Sequence, residues 1–150
     1  MQYEESIKKG IEKMKRSEMR ELAFELIYSM EIQEENVEEQ INNFLEANEV
    51  TDEETQKYIK NIVNGIKEHK EELTAIVEKN LKSDWNIKRI SKIDFSILQL
   101  AIFEIKYNQL PYKVSINESV ELAKKFGEDS SKNFVNGILA SVVKQLEETN

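Results

Sequence analysis

The sequence predicts an all-α fold of about seven helices in two helical subdomains, and three observations lead there. Apolar residues recur at three- and four-residue steps along most of the chain, the spacing that lines one face of a helix. One proline and four glycines in 150 residues are too few to punctuate a β-rich fold. Apolar residues at 39% beside charged residues at 33% suit a single domain with a real core and a heavily charged surface.

Each element has its own signal. Residues 1–13 form a charged lead-in with Tyr3, Ile7 and Ile11 at helical spacing. Met19, Leu22, Ala23, Leu26, Ile27 and Met30 then share a face, with Ser17 placed to cap the helix start. Asn36 with Glu39 resembles a capping box ahead of Val37, Ile41, Phe44 and Leu45. Thr51 with Glu54 repeats that signal before Tyr58, Ile59, Ile62, Val63 and Ile66, and Leu73, Ile76, Val77 and Leu81 mark a further helix. A division near residues 82–86 gives subdomains of about 14–82 and 84–150 within one domain, 14–150, behind an extension at 1–13.

The segment Ile90 to Tyr107 is apolar around most of its circumference, which predicts a central helix buried on nearly all sides. Pro111 breaks the chain. Ser115 with Glu118 reads as another capping box, and Gly127 as a stop in the positive-φ region. Ser130 or Ser131 opens a last helix carrying Phe134, Val135, Ile138, Leu139, Val142 and Leu146. The pairs Asn64-Gly65 and Asn136-Gly137 lie within helical periodicity, so small residues allowing close helix approach are expected there rather than hairpin turns.

The chemistry is that of a binding protein. Without cysteine there is no disulfide framework, thiolate site or cysteine nucleophile. No apolar run approaches the ~20 residues of a membrane span, so a cytoplasmic protein with no membrane partner is expected. His69, the only histidine, sits in a charged run and reads as a solvated helix residue, and a lone histidine does not build a metal site. No phosphate loop, dinucleotide fingerprint or nucleophile elbow occurs, so no catalytic residue, metal or cofactor is assigned.

The net charge of −8 opposes nucleic-acid binding on average, yet the cations cluster. Lys8, Lys9, Lys13, Lys15, Arg16 and Arg20 gather at the start of the first strong helix, where free N–H groups and the positive dipole end favour phosphate. The plainer reading is a solvated basic helix start diluted by Glu4, Glu5, Glu12 and Glu18. A second group, Lys124, Lys125 and Lys132, lies beside Ser130, Ser131, Asn133 and Phe134. Polar side chains next to an aromatic can hold an unpaired base, and the alternative is a helix turn with Phe134 in the core.

The C-terminal half resembles the NusB family of bacterial transcription antitermination factors. The resemblance rests on Pro111-Tyr112, on Ile116-Asn117-Glu118, on Glu121-Leu122-Ala123-Lys124 with Phe126-Gly127, and on Phe134-Val135-Asn136-Gly137. Ile93-Asp94 with Leu98 to Glu104, and Arg20-Glu21-Leu22-Ala23 with Ile27-Tyr28, extend it over about residues 14–146. It implies a NusB-like RNA-binding fold that takes boxA-type single-stranded RNA of ribosomal and other transcripts. It also implies a protein partner, ribosomal protein NusE, within an elongation complex of RNA polymerase and other Nus factors. By resemblance the RNA contacts are Lys15, Arg16 and Arg20, then Ser131, Lys132, Asn133 and Phe134, and the partner surface includes Tyr28 and Asp94. The basic segment is thin and broken by Glu18, and residues 1–13 precede Met14, where family members often start. They are either an accessory helix or upstream of the true start. A helical protein-interaction module with little RNA affinity is the alternative reading.

Overall fold

The computed structural model describes residues 15–32 and 35–149. Helices α1 (Arg16–Ile32), α2 (Val37–Ala47), α3 (Glu53–Glu68), α4 (Lys70–Lys79), α5 (Lys92–Tyr107), α6 (Tyr112–Phe126) and α7 (Ser131–Thr149) follow in order, with a 3-10 turn at Ile87–Arg89. No strand occurs among the described residues. The lead-in 1–13, with Lys8, Lys9 and Lys13, lies outside them.

Contacts group the chain into two units, Met1–Asn64 and Gly65–Asn150. The sequence suggested a division near 82–86. The grouping falls earlier, inside α3, because α4 packs on α5, α7 and the 3-10 turn.

In the first unit α1 packs on α2, and Met19, Ala23, Phe24, Leu26 and Ile27 of α1 and Ile41 and Leu45 of α2 are buried. The expected caps need correction here. Ser17 lies inside the first turn, because α1 already begins at Arg16. Asn36 precedes α2 in the left-handed region (φ 53°, ψ 55°) and makes no side-chain cap bond, since a capping side chain needs extended backbone to reach the free N–H groups. At α3 the cap is one residue later than Thr51: Asp52 Oδ2 accepts from Thr55 N at 3.2 Å and from Thr55 Oγ1 at 2.6 Å. The end of α2 is wrapped by Glu49 N–H donating to Glu46 O and Val50 N–H to Leu45 O, with Glu49 at φ 53° in the position glycine usually takes.

In the second unit α5 is the centre, as its apolar circumference predicts. Asp94 and every residue from Ser96 to Glu104 are buried, and α4, α6 and α7 all pack on the helix. Ser115, Ser119 and Ala123 repeat at four-residue steps along α6 and are buried, small side chains that let α6 approach α5 closely. Ser115 is thus no cap: α6 begins at Tyr112 behind Pro111, and the serine Oγ donates to Ala101 O of α5 at 3.3 Å.

The glycines divide. A Cβ on Gly65 would stand 2.1 Å from Phe103 Cζ, so this Asn-Gly pair does serve close approach, whereas nothing lies within 4 Å of a Cβ on Gly137. Gly127 is extended (φ −93°, ψ −174°), not left-handed. It is glycine for want of room, because a Cβ would lie 2.6 Å from Ser131 Oγ and 2.9 Å from Ala123 O.

Candidate nucleic-acid interface

The first cationic group sits at the start of α1. Lys15 and Arg16 are exposed, next to backbone N–H groups that have no intrahelical acceptor. Arg20 differs: it is only 2% exposed. Spacing could have shown this, since Arg20 shares a helix face with Ala23, Phe24 and Ile27, all buried. A side chain so placed works within the fold, and its replacement cannot leave stability unchanged as an exposed cation's would. On the same helix Tyr28 is half-buried, its ring stacked on Phe24 with centroids 6.3 Å apart.

The second group surrounds the junction of α6 and α7. Ser131 is buried, and it too shares a helix face with buried Val135, Ile138 and Leu139. Its Oγ accepts from Glu128 N at 3.0 Å, which closes the loop after Gly127. The same hydroxyl bonds the carboxylate of Asp94, joining the start of α7 to the start of α5. Lys132 and Asn133 are exposed. Both line an open polar groove of about 560 Å³ with Asn117, Glu121, Lys124 and Asn136. The Lys124–Glu121 pair in this groove, 3.3 Å long and solvent-exposed, adds little stability. Phe134 is neither in the core nor free: it is half-buried and stacked on Trp85, with centroids 5.5 Å apart and planes 28° from parallel.

Asp94 is 8% exposed, and its Oδ1 has no hydrogen-bond partner among the described residues. Its backbone N–H donates to Ser91 Oγ at 3.0 Å, capping α5. Burial pushes its pKa up, against the hydrogen bonds from Ser131 and Ser91 that pull it down, while Glu128 adds to the rise. Asp94 is therefore a buried tie with an unsatisfied oxygen. Residues 15–28 lie in the first unit and 94–134 in the second, so the structure brings together Asp94 and Ser131, and separately Lys132 and Asn133.

Sequence reasoning missed Trp85 and Arg89, which lie in a loop without helical period. It also missed a polar cluster around His69. That histidine is half-buried rather than solvated, because the chain turns between α3 and α4 and stacks the imidazole on Tyr107 at 4.1 Å. The Tyr107 hydroxyl donates to Glu72, and Lys106 also bonds that carboxylate. Lys106 and Tyr107, with His69 nearby, hold the Glu72 carboxyl below its usual range, and the Glu72 bond pushes Tyr107 up to about 12. Among the described residues no group of three or more acidic, His or Cys side chains could hold a metal, and no helix is long and apolar enough to cross a membrane.

Residues 17–144 match the NusB family. A transcription antitermination protein NusB of Acetivibrio thermocellus is 46% identical over 132 residues, covering 87% of this chain and 90% of that one. The solved structure of T. maritima NusB superposes with a TM-score of 0.81 at 30% identity, over 89% of this chain and 93% of that one. A crystal structure of antitermination factors NusB and NusE in complex with double-stranded RNA gives a TM-score of 0.79 at 26% identity, over 87% and 96%.

Proposed function

The chain belongs to the NusB family, and on that premise we propose that it is a transcription antitermination factor that binds boxA-type RNA together with NusE. The match over residues 17–144 carries the reading, because it begins directly after Lys15 and Arg16 and spans the second cationic group and the helix that holds Asp94. Its partners are then single-stranded RNA, NusE, and through them RNA polymerase with other Nus factors. The place of action is the cytoplasm, and the work is binding without turnover.

Physical roles follow. Lys15 and Arg16 meet phosphates at the start of α1, where the dipole and free N–H groups add to their charge. Lys132 and Asn133 reach the backbone and base edges from the start of α7, and Phe134 offers a ring face. Arg20 and Ser131 support these contacts from inside. Arg20 fixes α1, and Ser131 sets the loop behind Gly127 through Glu128 and Asp94. On the partner side Tyr28 supplies an apolar edge. Asp94 positions the loop, and a cation of NusE brought near it would satisfy a carboxylate that the fold leaves short of donors.

The test is a titration of the purified protein with boxA-type and scrambled single-stranded RNA, with and without NusE, duplex RNA serving as a control. Preferential binding of boxA, tightened by NusE, is expected. Equal affinity for both sequences with NusE present would remove the antitermination reading.

A further inference from the structure

Trp85 is the chain's only tryptophan and is 40% exposed. An exposed indole usually finds apolar cover, and here one ring, Phe134, supplies part of it. The guanidinium carbon of Arg89 lies 5.4 Å from the indole centroid, a cation–π contact. No described residue accepts from the indole N–H.

The loop that carries the pair is fixed by its own hydrogen bonds. Trp85 N–H donates to Lys82 O at 2.9 Å, and Arg89 Nη1 to Asp84 O at 3.1 Å. Asn86 Oδ1 accepts from Lys88 N at 3.0 Å, starting the 3-10 turn. A platform already ordered in this way loses little entropy when something docks on it. An open recess of about 490 Å³ adjoins the indole, bordered by Glu78, Leu81, Asn86, Ile87 and Lys88.

Charge selects the occupant. The whole chain carries −8, but between residues 82 and 92 Lys82, Lys88, Arg89 and Lys92 face only Asp84, and across the recess Glu78 adds one more acid, which leaves the cations in excess. All six are exposed. An aromatic face with cations around it, inside an acidic protein, suits a polyanion with flat rings better than an apolar peptide. We infer that Trp85 stacks an unpaired base of single-stranded RNA and that Arg89 contacts the phosphate of the same nucleotide, which carries the surface at Lys132–Phe134 onto the loop before α5. The inference rests on the RNA-binding reading and deepens it. The indole takes the base on its exposed part, and Phe134 backs it. The guanidinium, held through Nη1 by Asp84 O, keeps its other N–H groups to meet the phosphate.

Because Trp85 is the only tryptophan, its emission reports on this site alone. The protein is titrated with a short boxA-type single-stranded RNA bearing an end label. Tryptophan emission and label anisotropy are followed together, before and after addition of NusE. Emission should be quenched in step with the anisotropy. Trp85→Ala should weaken binding by about tenfold, the scale of one base–aromatic stack, while Trp85→Phe keeps most of the affinity. Arg89→Ala should lower the salt slope by about 0.7, the value for one phosphate on a single strand. Helical circular dichroism checks each variant. Should Trp85→Ala fail to fold, the emission titration of the unaltered chain decides alone. Saturated anisotropy with unchanged emission would overturn the inference and leave RNA binding intact. No anisotropy change even with NusE would overturn both. Emission that responds to NusE without RNA, and not to RNA, would make this a protein contact and overturn the inference as well.

Discussion

The two cationic groups are built on different principles. At the start of α1 charge is laid along a helix, and burial varies with the helical turn: Lys15 and Arg16 face solvent while Arg20 is interior. Around the start of α7 Lys124, Lys125 and Lys132 are mixed with Glu121, Glu128 and Asp129, and the geometry comes from a tie between Asp94 and Ser131, a glycine without room for a side chain, and an aromatic pair. The first is a field of charge that tolerates displacement. The second is a shape that does not. On the proposed reading the first would supply salt-dependent affinity and the second would position bases.

The largest effect that separates them is on stability. Arg20→Ala should cost about 2–3 kcal/mol, because a buried side chain and its interactions are lost. Chemical denaturation reads this directly, and a cost below about 0.5 kcal/mol would mean that Arg20 is effectively a surface residue. Next comes Gly127→Ala, which drives a methyl into Ser131 and should cost about 1–2 kcal/mol while disturbing the loop ahead of Lys132. Its RNA affinity should fall with its melting temperature, and an unperturbed variant would show that the loop is not shape-critical.

Asp94→Asn sharpens the comparison through pH. Burial raises the folded-state pKa above the ordinary aspartate value of 3.8, so the acid form is the one the fold favours. The stability tied to that proton is complete below the unfolded-state value and is lost as pH rises through the folded-state value. At neutral pH the parent carries this deficit and Asp94→Asn does not. The variant should melt slightly higher there, and the gain should vanish as pH drops below the carboxylate range. Its affinity for NusE should fall at the same time. A melting difference independent of pH would show that burial is not what shifts this group. Smallest of all is Arg16→Ala, whose stability should stay within about 0.5 kcal/mol of the parent.

How much of this could be read from residues follows the same division. Helical period gave the central helix and the close approach at Gly65, because both depend on spacing along one element. The period also held the burial of Arg20 and Ser131, each on a face with buried core positions, although their side chains are charged or polar. The cap at Asn36 vanished because its left-handed backbone turns the side chain away from the free N–H groups, and at α3 the nearer carboxylate of Asp52 takes the place expected of Thr51. Trp85, Arg89 and His69 were not legible as a site. Their partners Phe134 and Tyr107 lie far along the sequence, and no local pattern pairs rings across such separations.

The central claim is that exposed cations on both groups neutralise RNA phosphates. Its most direct measurement is the slope of log affinity against log salt for a boxA-type single-stranded RNA, compared between the parent and a variant with Lys15, Arg16 and Lys132 changed to alanine. The slope should flatten by about 0.7 for each cation removed. An identical slope in the folded variant would contradict the claim.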